Sequence, residues 1–284
     1  MPLIPLLSLD RPALLFSGQG SPWQSTLADA ASVRPAGERL SRLLQAARTA
    51  TGPVAREISS TTPGSLERLA QLIEPHADAA PRAMDTLPAV SVPGIVLGQI
   101  AALDHLRDLG DHLAQGPMLG HSQGSLGVVA ARHPEQALAF AVLLGTALSR
   151  VGGSGDPRPR MLSVRGVERA VVEKHAGAAC LAVINGPRHH VLSGSPAELA
   201  AARAGIARAA DAHNDRIEAR EFGGDELAPA FTELPVAAPF HHPGMRPAAD
   251  LAVEWAKRCG IDLGEYSIRE LADSILADTH DWPA

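Results

Sequence analysis

The stretch best suited to chemistry is Gly120-His121-Ser122-Gln123-Gly124, a serine held between two glycines and behind a histidine. Serine is a poor helix former and glycine costs chain entropy, yet both stand at the mouth of a long apolar run. The pattern G-x-S-x-G, after a short apolar segment and before a helix, puts the serine on a sharp strand-to-helix turn with its hydroxyl projecting into a crevice. Glycines on either side let neighbouring backbone pass close. The Gln123 N–H, at the start of the helix, can donate to a developing oxyanion. A glycine-rich loop in which Ser122 merely caps the helix would show the same five residues.

Two further features favour chemistry. Gly18-Gln19-Gly20 follows the first apolar run, so its amides fall at the same sheet edge as Ser122 and can supply a second oxyanion donor. Phe240-His241-His242-Pro243 offers a histidine to take the serine proton. The chain has 12 histidines, so residue type alone does not choose among them. The adjacent pairs at 189–190 and 241–242 lack the Cys/Asp/Glu company of a metal site, and no metal is expected.

These residues need elements to position them. Residues 13–17 read as a buried strand that stops at the Gly-Gln-Gly turn. Helical spacing covers 36–50 and 65–74, separated by a polar connector at 51–64 and followed by a looser connection at 76–88. An amphipathic helix over 90–109 ends at Gly110. Met118-Leu119 then leads into the serine turn, with helices over 125–131 and, beyond Pro134, over 136–150. GGSGDPRPR (152–160) is the clearest break in the chain. Past it, the pattern predicts strand 161–165, helix 167–175, strands 180–184 and 190–193, helix 196–210 and a β-like stretch near 216–222. That is the β-α-β-β-α-β order of a ferredoxin-like module. Helices over 247–258 and 267–277 close the chain. The expected fold is α/β: an α/β-hydrolase-like core with a parallel sheet, formed by 1–154 and 236–284, with a ferredoxin-like subdomain inserted at 155–235.

Composition narrows the function. The chain has 284 residues, 45% hydrophobic, 20% charged and 3% aromatic, which suits a globular core filled by aliphatic side chains. A formal net charge of −6 without a Lys/Arg run argues against nucleic acid. No stretch reads as a membrane span. The apolar start, MPLIPLLSLDRP, lacks a basic region and contains prolines, so it reads as a strand approach rather than a signal peptide. The two cysteines, Cys180 and Cys259, stand far apart and suit reduced thiols in the cytoplasm.

Taken in order, FSGQGS (16–21), GHSQG (120–124), INGPRHHVLSG (184–194) and APFHHPGM (238–245) resemble the malonyl/acyl-CoA:acyl-carrier-protein transacylase family over nearly the whole chain. Within it, the nearest likeness is to the acetyltransferase domain at the start of bacterial type I fatty acid synthases. The resemblance implies that Ser122 accepts the acyl group and that His241 is its base. It implies oxyanion amides from Gln19 and Gln123, a supporting Asn185, and a His121 that braces the turn. The family works as a Ser-His dyad whose histidine is oriented by a backbone carbonyl, so no acidic third member is expected. No bound cofactor is implied: acetyl-CoA is the donor, and phosphopantetheine on an acyl carrier protein is the acceptor. Other domains of a fatty acid synthase are the further partners.

Departures from the family carry information. Where malonyl-specific members have an arginine that grips the malonyl carboxylate, this sequence has Leu144. Many members have Gln-Pro where this one has Val92-Pro93. Both changes predict a pocket for a neutral short acyl group. ILADTHDW (275–282) matches the family just before its last strand, so the Gly-Pro-Gly segment carrying the orienting carbonyl is expected to be missing and activity of the isolated chain is in doubt. The alternatives are a malonyl or longer-acyl transacylase of a fatty acid or polyketide synthase, a serine thioesterase or esterase, and a degenerate docking module.

Overall fold

The computed structural model describes residues 12–19, 23–74, 82–153, 158–219, 223–278 and 280–281. The chain before residue 12, Gly20 and Ser21 of the first turn, and residues 154–157 of the Gly/Ser/Pro break lie outside the described residues.

Helix α5 (Pro88–Leu109) and helix α7 (Pro134–Gly152) form the centre of the main core, packed on each other. Around them stand α1 (Trp23–Ser32), α2 (Arg34–Ala50), α3 (Ala55–Thr61), α4 (Ser65–Leu72) and α10 (Arg246–Arg258). Every residue of α7 from Ala137 to Ser149 is buried, so this helix has no solvent face and its sequence is apolar all round. The same holds for most of α5, which is long and apolar enough to cross a membrane by length and composition. That was not apparent from the sequence pattern. The physical reason is its place in the core, where 72% of the apolar window is buried. Helix α3 lies in the stretch expected to be a polar connector, because Val54 and Ile58 are buried against α7 and hold that turn in place.

Strand β1 (Leu14–Phe16) pairs in parallel with β2 (Met118–Gly120), Phe16 opposite Gly120. Among the described residues these two strands are the whole parallel sheet of the core. They set the loop after β1 beside the turn that leads from β2 into α6 (Gly124–Ala130).

Strands β3 (Met161–Arg165), β4 (Cys180–Gly186), β5 (His189–Ser193), β6 (Ala230–Leu234) and β7 (His280–Asp281) form a second sheet in the order β6-β3-β5-β4-β7. Helices α8 (Arg169–His175) and α9 (Pro196–Glu218) connect β3 to β4 and β5 to β6. This is the connectivity and strand order of a ferredoxin-like unit, extended at one edge by β7, which runs parallel to β4. The strand expected near 216–222 is displaced as far as the described residues go, residues 220–222 lying outside them. Helix α9 continues to Glu218, and the strand comes at Ala230–Leu234. A capping box starts the helix, with the Glu198 N–H donating to Ser195 Oγ and the Ser195 N–H to the Glu198 carboxylate. Near its end Asn214 grips Leu227 at both N–H and C=O, so the chain stays folded back on the helix before β6 begins.

Two buried polar features depend on this packing. Arg68 of α4 and Asp85 form a two-pronged ion pair at 2.8 and 2.9 Å, both side chains 1% exposed. It ties α4 to the approach of α5. His190 lies on the helix-facing side of β5 beside Val164 and Leu192 and is fully buried. Burial is the main cause that pushes its pKa below the ordinary 6.5.

Removing the carboxylate in Asp85→Ala should cost about 3–5 kcal/mol, because it strands a buried guanidinium. Urea denaturation measures it, and a loss below about 1 kcal/mol would contradict a buried pair. For His190 the folded ring takes its proton at lower pH than the unfolded ring. Its contribution is complete above the unfolded value of 6.5 and is lost as pH falls below it. The urea midpoint should drop between neutral and mildly acidic pH, and less steeply in His190→Leu, with some slope left from His189, also lowered by burial. Equal slopes in the two proteins would refute the assignment.

Candidate active site

The serine turn is built by close backbone contact. Phe16 C=O accepts the His121 N–H at 3.0 Å, locking the turn to β1. A Cβ on Gly124 would lie 2.0 Å from that same oxygen, and one on Gly120 would lie 2.4 Å from the Ser125 amide. Both flanking positions of the motif are therefore glycine for lack of space. Ser122 itself has φ 54°, and the only other non-glycine with positive φ among the described residues is His241, at 57°. Such backbone costs on the order of 1–3 kcal/mol per residue and collects at functional sites.

These two strained residues meet. Ser122 Oγ lies 2.6 Å from His241 Nε2. His241 Nδ1 lies 2.9 Å from the backbone carbonyl of Asp278, so the N–H there donates to that oxygen and leaves Nε2 free to accept. This corrects the expectation that the orienting carbonyl would be missing. Asp278 supplies one, because α11 (Ile268–Leu276) ends just before it and β7 then pairs with β4, carrying the carbonyl back over the imidazole. Arg246, five residues after His241, also reaches Asp278, through its carboxylate at 2.9 Å. Cys180 on β4 lies against the His241 carbonyl, Sγ to O 3.9 Å, with its thiol pKa raised by burial.

The amide of Gln123 takes no part in the backbone hydrogen bonds of the turn, which run from Gly124 to His121 and from Ser125 to Ser122. It stands at the start of α6, immediately after Ser122. Its side chain is fully buried and donates to the Val92 carbonyl at 2.8 Å while accepting from Gln19 Nε2 at 2.5 Å. Gln19 Nε2 also reaches Ser91 Oγ at 3.2 Å. The two loops carrying the expected oxyanion donors are thus tied to each other and to α5.

Ser122 and His241 open on a cleft of about 110 Å³ whose wall includes Gln19, His121 and Asn185. Its far side is the second sheet: Leu234, Met161, Val191 and Val183 stand on β6, β3, β5 and β4, and Phe240 completes the apolar wall. None of the residues lining it is a lysine or arginine.

Residues 160–233 match the family described as the fatty acid synthase central AT domain. Comparison with curated proteins gives no match. Among solved structures, the malonyl CoA-acyl carrier protein transacylase of Coxiella burnetii is similar over 94% of this chain and 79% of that one, at 19% identity and TM-score 0.59. MCAT of Streptococcus pneumoniae gives 94% and 81% coverage, 17% identity and TM-score 0.61. A structure of a type II PKS acyl-carrier protein in complex with its malonyl-transacylase gives 94% and 82%, 19% and 0.61. At these identities the likeness is one of fold. The fold is that of the malonyl-CoA:acyl-carrier-protein transacylases.

Not every expected site residue reaches the cleft. Ser122, His241, Gln19, His121 and Asn185 line it, and Gln123 stands directly behind Ser122. Leu144 and Val92 do not line it: both are fully buried in the main core. Helix α7 is pressed so close to α5 that a Cβ on the neighbouring Gly145 would lie 2.3 Å from the Pro88 carbonyl, and Leu144 is enclosed with it. Val92 contributes its carbonyl to Gln123 rather than its side chain to the pocket. Asp278, Ser91 and the apolar wall of the sheet were not foreseen. The two-residue spacing that puts Met161 with Ser163, and Val191 with His189, on one sheet face was the available signal, but it does not say what that face meets.

Gly124→Ala should separate the turn from β1, lowering the thermal midpoint by several degrees and weakening any reaction at Ser122. An unchanged midpoint would mean that the contact at Phe16 is not what fixes the turn.

Proposed function

We propose that this chain moves an acetyl group from coenzyme A to the pantetheine thiol of an acyl carrier protein through an acetyl-serine, priming fatty acid synthesis. The observation that carries the reading is the Ser122–His241 contact at 2.6 Å, with Nδ1 of the same ring on a backbone carbonyl. His241 takes the Ser122 proton at Nε2 as Oγ attacks the thioester carbonyl. The amides of Gln123 and Gln19 receive the oxyanion. Collapse breaks the C–S bond, and the proton on His241 leaves with the coenzyme A thiol. In the second half the carrier thiol gives its proton to His241 and attacks the ester carbonyl. The proton then returns to Ser122 as Oγ leaves.

Donor choice follows from the walls. No lysine or arginine lines the cleft, whose wall is mostly Met161, Val183, Val191, Leu234 and Phe240, and burying a carboxylate without a cationic partner costs several kcal/mol. The cleft therefore favours a neutral acyl group. Leu144 supports this only from the sequence side, as the residue standing where malonyl-specific relatives resembling this chain carry arginine.

The test is the mass of the Ser122 peptide after mixing with acetyl-, malonyl- and longer acyl-CoA. Acetyl should accumulate, survive in buffer, and be discharged by holo carrier protein. Ser122→Ala should abolish the adduct, and His241→Ala should slow its formation by about 10²–10⁴-fold. A malonyl adduct formed faster than acetyl would overturn the donor assignment. Release of free acid at a rate unaffected by carrier protein would make the chain a thioesterase.

A further inference from the structure

Helix α10 begins five residues after His241, and α11 ends two residues before Asp278. The helices pack on each other in the main core, where Trp255, Leu271, Ala272 and Ile275 are buried. Their ends nearest the dyad are joined by charge. Arg246, the first residue of α10, reaches two carboxylates on the α11 side, Asp273 Oδ1 at 3.3 Å and Asp278 Oδ1 at 2.9 Å. The other oxygen of Asp273 accepts from Arg269 Nε at 2.8 Å, and Arg269 in turn reaches Asp250 of α10 at 2.6 Å. Asp273, shared by both arginines, is 17% exposed and the most enclosed of the five. Asp278 is thereby held at three points. Its N–H donates to the Asp273 carbonyl at 3.0 Å, its carboxylate accepts from Arg246, and its carbonyl accepts from His241 Nδ1 at 2.9 Å.

We infer that Arg246 is a positioning residue of the dyad: by spanning Asp273 and Asp278 it staples the end of α11 and holds the Asp278 carbonyl on His241 Nδ1. The inference rests on the reading of Ser122 and His241 as the reacting pair and deepens it. Asp278 lies past α11 and before β7, so neither helix nor strand fixes its carbonyl. The N–H bond to Asp273 alone leaves that carbonyl free to tilt, and the carboxylate bond to Arg246 removes the freedom. On the other side, only four residues separate Arg246 from His241. They form a tight turn, closed by the Met245 N–H on the His242 carbonyl at 2.8 Å and the Gly244 N–H on His242 Nδ1 at 3.0 Å. One arginine therefore ties both partners of the Nδ1 hydrogen bond, His241 through the chain and Asp278 through its carboxylate. A planar guanidinium can meet two carboxylates at once, whereas an ammonium is a point charge. With the carbonyl in place the ring proton stays on Nδ1, and Nε2 faces Ser122 as base. With it displaced, the ring can carry its proton on Nε2, where it cannot take one from the serine.

The test compares the full chain with Arg246→Gln, Arg246→Lys, Asp278→Ala, and Arg246→Gln combined with Asp278→Ala. One readout is the tautomer of His241, from nitrogen NMR of histidine-labelled protein, with the signal assigned by its absence in His241→Gln. The other is the rate at which a fluorophosphonate labels Ser122: Oγ attacks phosphorus, fluoride leaves, and His241 takes the serine proton. The wild-type ring should show the Nδ1–H tautomer alone, and Arg246→Gln and Asp278→Ala a mixture. Labelling should slow at least about fivefold in each, because misplacing an orienting group costs more than an exposed ion pair is worth. The combined variant should be no slower than either single one, since both break the same link. Arg246→Lys should recover part of the rate. Arg258→Gln, which breaks another α10 ion pair, with Glu57, should change neither readout. Should Arg246→Gln fail to fold, Asp278→Ala decides, because it keeps the carbonyl and removes only the carboxylate. An unchanged tautomer with a rate within about twofold of wild type would overturn the inference. So would losses that add in the combined variant or that Arg258→Gln shares. A mixed tautomer and slowed labelling, in a protein that coenzyme A thioesters never acylate, would sustain the positioning role and reject the transfer reaction.

Discussion

The imidazole of His241 is gripped at both nitrogens, by the Ser122 hydroxyl on one side and the Asp278 carbonyl on the other. Both dyad residues sit in left-handed backbone that their side chains disfavour. Neither would hold that shape alone. At Ser122 the shape is imposed by β1, whose Phe16 carbonyl is too close to Gly124 for any side chain and accepts the His121 N–H. At His241 the preceding Phe240 is buried in the main core and its N–H is turned back on Ala238. The strain at the dyad is therefore set by the core on one side and by the parallel strand pair on the other.

The second grip links parts of the chain far apart in sequence. Asp278 follows α11, and β7 beyond it joins the edge of the sheet that walls the cleft. Arg246, on the same stretch as His241, holds the Asp278 carboxylate while the histidine holds its carbonyl. Both side chains of that ion pair are about half exposed, so its strength is modest. Its geometric effect is larger, because it fixes the one residue that decides which imidazole nitrogen carries the proton. Pairing of β7 with β4 and basicity at Nε2 are in this way the same structural event.

Much of this was legible in the sequence where local chemistry dictates structure. The strand-turn-helix around Ser122 is readable because only glycine fits its flanks. The β-α-β-β-α order from 161 is readable because alternation and helical spacing switch cleanly there. Legibility ended where tertiary contact overrides local pattern. Nothing in residues 216–222 announces that Asn214 will hold Leu227 and defer the last strand of the unit to Ala230. A backbone carbonyl is also chemically anonymous: Asp278 orients His241 through an atom that every residue possesses. Leu144 was placed at the pocket only by the family position it occupies, but α7 is buried from Ala137 to Ser149, and the direction a side chain takes from such a helix is decided by packing.

The wall opposite the dyad bears on the transfer reaction proposed above. The cleft, about 110 Å³, is walled largely by apolar side chains. An acyl group on Ser122 would stand against this wall. The wall opposite offers Met161, Val183, Val191 and Leu234, none of which can orient a water. A thiol at the end of a long arm is under no such handicap. It brings its own binding contacts, displaces water as it enters, and presents sulfur where His241 can take its proton. Selectivity for the thiol then needs no group that rejects water. On the function proposed above, it follows from an apolar wall opposite the dyad that gives an attacking water nothing to orient it.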